Sequence, residues 1–193
     1  MINLPQDHYV DIAILERLLD YSNLTTSYKI FWFYGIYKEI ICGNQRIPFK
    51  RIVCRMISSA WYPLLEYHLH LGVSDKLNTI VTLIHEKYGI KSDINEEELL
   101  AFLAEIEDKE IEDKINNFYK YVPYRLIAPF FSDQLVGKKD AEKNPLILDL
   151  SQSTSKALYQ IIMPEKVLYI NDKWFDYIYR NQNIVEGWLN YKM

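Results

Sequence analysis

The chain has 193 residues, a formal net charge of −4 and two isolated cysteines, Cys42 and Cys54. That length supplies a hydrophobic core without staples. The cysteine spacing excludes a zinc ribbon or a disulfide framework, and the acidic balance excludes bulk electrostatic attraction to nucleic acid. The opening MINLPQDHYV carries no basic-then-apolar leader, which makes a reducing cytoplasm the expected home.

Residues 9–21 predict a first helix, with Val10, Ile12, Ile14, Leu15, Leu18 and Leu19 on its apolar side. Residues 27–42, SYKIFWFYGIYKEIIC, follow. At about 100° per residue, Phe31, Trp32, Phe33, Tyr34, Ile36, Tyr37, Ile40 and Ile41 point in every direction. A helix apolar all round is buried all round, and this one is too short and too charged to cross a bilayer, which needs about 20 apolar residues. It is expected to be the central helix of a bundle, capped by Thr25, Thr26 or Ser27 and ended by Gly43. Gly35, in mid-helix, costs about 1 kcal/mol against alanine. Close approach of a neighbouring backbone is the expected return.

Pro48 opens a second helix, expected to reach about Ala60. Phe49, Ile52, Val53, Met56, Ile57 and Ala60 share one arc; Lys50, Arg51, Cys54, Arg55, Ser58 and Ser59 share the other. The Trp61-Tyr62-Pro63 run predicts a bend, because a residue before proline avoids helical geometry. A short helix should then resume through Leu69 and close at Gly72. Ser74 is the expected cap for residues 75–88, with Leu77, Ile80, Val81 and Ile84 inward and Gly89 as stop. Asn95 followed by Glu96, Glu97 and Glu98 is a strong helix start, and the helical pattern either runs on or restarts through residues 110–121.

Residues 132–145 read as a mobile loop. Residues 158–162 and 166–170, separated by Met163-Pro164-Glu165, predict a β-hairpin. Asn171 is the expected cap of a helix carrying Trp174, Phe175, Ile178 and Tyr179. A last helix from about Asn183 holds Ile184, Trp188 and Leu189, with no stop signal before Met193, so the expectation is either that the native polypeptide continues or that the helix end frays. The predicted fold is mainly α: a multi-helix bundle around a buried central helix at about 27–42, with a small C-terminal β-hairpin. Its expected organisation is a helical bundle over 1–131, a loop or linker over 132–157, and a hairpin with helices over 158–193 packed on the same domain.

Chemistry is sparse. The histidines are His8, His68, His70 and His85. Glu66 and His70 have metal-compatible i, i+4 spacing, but no HExxH or cysteine partner accompanies them, so no metal site is assigned. GxSxG, P-loop and GxGxxG motifs are missing, and no residue is assigned a catalytic role. Two charge asymmetries stand out. Residues 93–113 hold ten acids against Lys109 alone, which reads as a solvated helix face or a protein-docking segment. Residues 27–56 hold Lys29, Lys38, Arg46, Lys50, Arg51 and Arg55 against Glu39 alone. Arg46, Lys50, Arg51 and Arg55 crowd into ten residues and form the candidate nucleic-acid-binding set, through weak, salt-dependent phosphate contact. The competing reading has this face solvated or paired with the acidic run. No membrane partner is expected.

Ser27-Tyr28-Lys29 leading into Phe31-Trp32-Phe33, Arg55-Met56-Ile57 with Ala60-Trp61-Tyr62-Pro63, LHLGVSDKL over 69–77, Tyr121-Val122-Pro123-Tyr124-Arg125, and Ile178-Tyr179 with Ile184 and Gly187-Trp188 occur in that order. Together they resemble the N-terminal region of bacterial HNH endonuclease domain-containing proteins, over nearly the whole chain. In that family the HNH nuclease module follows this region. The histidine base and the metal-holding His, Asn or Asp residues of such a module have no counterpart here, so no catalytic residue carries over, and any divalent metal would belong to the module. The resemblance implies a non-catalytic region that engages DNA or regulates a nuclease. A protein–protein interaction or oligomerisation module without nucleic-acid contact is the alternative.

Overall fold

Asp11 opens the first helix, accepting a hydrogen bond from the Ile14 N–H at 3.2 Å. This is α1, Ile12–Leu18, in a computed structural model that describes residues 3–20, 28–69 and 76–193. The proposed caps Thr25, Thr26, Ser27 and Ser74, together with Tyr21, Gly72 and His70, lie outside the described residues. The central helix, α2, spans Tyr28–Ile41 and buries residues on all its sides, as its all-round apolar pattern requires. Trp32, Phe33, Ile36 and Ile40 have no exposed surface. α2 packs against α3 (Phe49–Tyr67), α7 (Val122–Ile127), α10 (Asp172–Arg180) and α11 (Gln182–Lys192). Gly43, with φ 84°, ends it.

Gly35 is where α2 meets α3. A Cβ there would sit 2.9 Å from the Ile52 carbonyl oxygen and 3.0 Å from Ile52 Cγ2. Only glycine permits that approach. Glu39 lies one turn further along the same face and is thereby delivered to α3.

α3 departs from expectation. It runs 19 residues, continues through Pro63, and ends at His68 in the left-handed conformation. Proline inside a helix costs about 3 kcal/mol. Here Leu64 is buried, worth about 1.5–3 kcal/mol, and the larger Trp61 is buried with its Nε1 donating to the Lys91 carbonyl at 3.0 Å. These anchors outweigh the lost hydrogen bond. α4 (Lys76–Tyr88) puts Leu77, Ile80, Val81 and Ile84 inward and stops at Gly89. α5 (Glu96–Glu105) is capped by Asn95, which accepts from the Glu97 N–H at 2.8 Å. The chain then breaks, and Asp108 caps α6 (Lys109–Tyr119).

The polar stretch expected as a loop or linker over 132–157 is largely helix. A 3₁₀ turn at Ala128–Phe131 leads into α8 (Ser132–Leu135), and α9 spans Asp140–Gln152. Glu142 closes the first turn of α9 by accepting from the Lys139 N–H at 2.8 Å, and Lys143 pairs with Asp140 at 3.0 Å. Ile147 and Ser151 are its buried contacts, so α9 is a surface helix whose polar composition concealed it.

The hairpin forms, and it is part of a larger sheet. β2 (Tyr159–Ile162) and β3 (Val167–Ile170) pair antiparallel with Tyr159 opposite Ile170 and Ile162 opposite Val167. β1, Arg46–Pro48, pairs with the other edge of β3 and puts Ile47 opposite Leu168, giving the order β1-β3-β2. Three residues ending in proline are too short to show alternation, so the sequence pattern does not mark Arg46 as part of a strand. The Tyr159 hydroxyl, buried, donates to the Pro123 carbonyl at 2.6 Å and ties the sheet to α7. In α11 the inward residues are Val185, Trp188 and Leu189, with Ile184 exposed. The hydrophobic core runs continuously from Leu4 to Leu189, so the hairpin and last helices share it with the bundle. Among the described residues, no helix is long and apolar enough to cross a membrane.

Candidate nucleic-acid interface

The four basic residues singled out in the sequence lie on β1 and the first two turns of α3, and they divide into two kinds. Arg46 is exposed on β1, opposite Tyr169. Lys50 is half-buried in the first turn of α3. Arg51 keeps 42% of its side chain exposed, while its Nε donates to Glu39 Oε1 at 3.0 Å. Arg55 is different. It is buried, its Nε donates to the same Glu39 oxygen at 2.7 Å, and its Nη1 donates to Glu96 at 3.1 Å. Its Nη2 also approaches Cys42 Sγ at 3.6 Å. The wheel put Arg55 and Cys54 on a solvated arc, and both are buried. The correction has a physical cause: α2 crosses so closely at Gly35 that this side of α3 is covered too.

Glu39 organises the group. It is 1% exposed, and its second oxygen accepts from Asn44 Nδ2 at 2.8 Å. Burial alone would raise its carboxyl, but hydrogen bonds and charge from Arg55 and Arg51 outweigh burial and hold it below the ordinary range. Burial likewise opposes the charge on Arg55, and Glu39 more than restores it. The sequence reading passed over Glu39. Its signal was its position as the single acid among six cations in residues 27–56, one turn after Gly35.

Part of the acidic run also meets the basic set, through Arg55–Glu96. Asp108 is used internally: it caps α6 and pairs with Lys87 at 2.6 Å and the Tyr88 hydroxyl at 2.9 Å. Lys87 and Tyr88 pull its carboxyl down to about 2. Glu97, Glu98, Glu105, Glu107, Glu112 and Asp113 remain exposed. Beside the basic corner, a hollow of about 310 Å³ is lined by Lys50 and Lys166 on one hand and Glu112 and Glu165 on the other, so charges of both signs meet there.

Other reactive groups are unremarkable in placement. Cys42 and Cys54 are both free thiols, and burial pushes Cys54 up to about 11. Glu66 accepts from the Ser92 hydroxyl. Among the described residues, no three His, Cys, Asp or Glu side chains converge as metal ligands. No family model, curated protein or solved structure matches the chain.

Proposed function

We propose that this chain is the non-catalytic region of an HNH-type nuclease, engaging DNA or regulating the module that cuts it. The reading rests on the ordered motifs that resemble the N-terminal region of such proteins. The observation that carries its DNA-engaging part is the β1–α3 corner, where Arg46, Lys50 and the outer part of Arg51 are presented to solvent while Glu39 and Arg55 brace the backbone behind them. Cations held on a strand and a helix end are suited to phosphate contact without base readout.

Fluorescence anisotropy on duplex DNA across a salt series tests it. Three neutralised phosphates give a log–log slope of about −2.7. Replacing Arg46 and Lys50 by Glu should weaken binding alike on unrelated sequences and flatten the slope. No binding at low salt, or a slope untouched by the double reversal, overturns the DNA-engaging reading. The exposed carboxylates of α5 and α6 favour a second reading, a protein-docking module. A stable self-associated species by light scattering, without DNA binding, would select it.

A further inference from the structure

A cleft of about 640 Å³ lies between the segment preceding α1, the 3₁₀ turn and the end of α9. That volume falls within the roughly 300–1,000 Å³ of small-molecule sites. None of its residues belongs to the β1–α3 corner. Aromatic and polar side chains both line it, with Tyr9, Phe130, Phe131, Gln134, Thr154 and Lys156 among them.

α10 and the residue before it fix these walls from behind. The buried Trp174 meets the Phe130 ring edge-to-face at 5.6 Å, and its Nε1 donates to the Lys156 carbonyl at 2.9 Å. The buried Asn171 occupies the expected N-cap position of α10, without a side-chain capping bond. Instead its Nδ2 donates to the Ala157 carbonyl at 2.6 Å, holding the same wall. Lys173 places its ammonium 4.5 Å from the centre of the Tyr9 ring. Tyr9 is 74% exposed, yet its backbone is held by Asp7, which accepts from the Tyr9 N–H at 2.7 Å. An exposed aromatic ring on an anchored stretch of backbone therefore lines the cleft. Lys156 is exposed there too, and its ammonium makes no ion pair among the described residues. The acid lining the cleft, Asp11, is engaged in capping α1.

We propose that this cleft binds a nucleoside phosphate, the base against Tyr9 and Phe130 and the phosphate on Lys156. Flat aromatic surface recognises any base by stacking, and a free ammonium in the same cleft supplies the charge-assisted contact that a phosphate needs. The same chemistry serves a free nucleotide or one unit of a single strand.

Isothermal titration of the whole chain with AMP, ribose 5-phosphate and a single-stranded deoxyadenylate hexamer tests this. AMP should bind saturably and tighter than ribose 5-phosphate. Tyr9→Ala should weaken AMP about tenfold, the loss expected for one stacking partner, and leave ribose 5-phosphate unchanged. Lys156→Ala should weaken both. Both side chains are exposed, and unchanged circular-dichroism melts would verify the fold. A hexamer tighter than AMP assigns the cleft to strands; equal or weaker binding assigns it to free nucleotides. The Arg46→Glu, Lys50→Glu variant should retain AMP binding, which separates this site from the duplex reading. Failure of both AMP and hexamer to saturate at low salt, or equal affinity for AMP and ribose 5-phosphate, overturns the proposal.

Discussion

Removing the Glu39 carboxylate is the sharpest test of how α2 and α3 are held together. Glu39 is almost fully buried and takes hydrogen bonds from Arg55 at 2.7 Å, Arg51 at 3.0 Å and Asn44 at 2.8 Å. In Glu39→Ala the Arg55 guanidinium, 10% exposed, keeps only the Glu96 carboxylate, itself 44% exposed. Breaking one side of a buried pair costs about 3–5 kcal/mol, because the remaining charge stays buried. For a chain of this size each kcal/mol moves Tm by about 2–4 °C, so the drop should be about 10 °C. Arg51→Ala removes a half-exposed partner and should cost no more than about 1 kcal/mol. The pH dependence has a definite sign. The Glu39 carboxyl is held below its ordinary value of 4.5 in the folded chain. Its contribution is therefore complete above that value and disappears as pH falls through the lower folded value. Thermal melts at neutral pH and at about pH 3 should show the gap between parent and Glu39→Gln narrowing in acid. A Glu39→Ala loss no larger than that of Arg51→Ala would refute the buried-clamp argument.

Other outcomes follow from the packing. Gly35→Ala should destabilise: alanine's helix advantage of about 1 kcal/mol is set against a Cβ 2.9 Å from the Ile52 carbonyl oxygen, and overpacking of this kind costs about 1–3 kcal/mol; a raised Tm would contradict it. Trp32→Ala should cost about 3–5 kcal/mol in denaturant unfolding, because the indole is wholly buried against Phe49; a melt within a degree or two of the parent (below about 1 kcal/mol at this size) would refute the central-helix argument. The purified chain should leave plasmid DNA uncut with magnesium, and metal-dependent nicking abolished by a point substitution would contradict the proposed non-catalytic role.

The central helix was legible because its signal is redundant: apolar residues at every angle admit only burial, and α2 delivers it. The β2–β3 pairing was legible from β-rich runs around a proline turn. Two other features were hidden for different reasons. β1 has three residues, too few for any period, and exists because β3 offers an edge to Ile47. α9 is polar, and its helical state comes from the Glu142 and Lys143 contacts of its first turn and from Ile147, which a composition scan reads as loop. Pro63 misled in the opposite direction, since a local rule lost to the burial of Trp61 and Leu64.

The basic patch shows where a helical wheel stops being informative about function. A wheel assumes that a helix has one covered side, and α3 has two because glycine at 35 admits α2 so closely. Of four cations that share a stretch of sequence, one is thereby turned inward to neutralise Glu39, one is shared between Glu39 and solvent, and Arg46 and Lys50 remain on the surface. Charge count in sequence therefore overstates the charge available to a partner. Any phosphate contact by this corner should have the shallower salt dependence of three cations. Substituting Arg55 should act through the stability of the fold, with no separate effect on the salt slope. That separation distinguishes a cation that contacts DNA from one that holds the contacting surface in place.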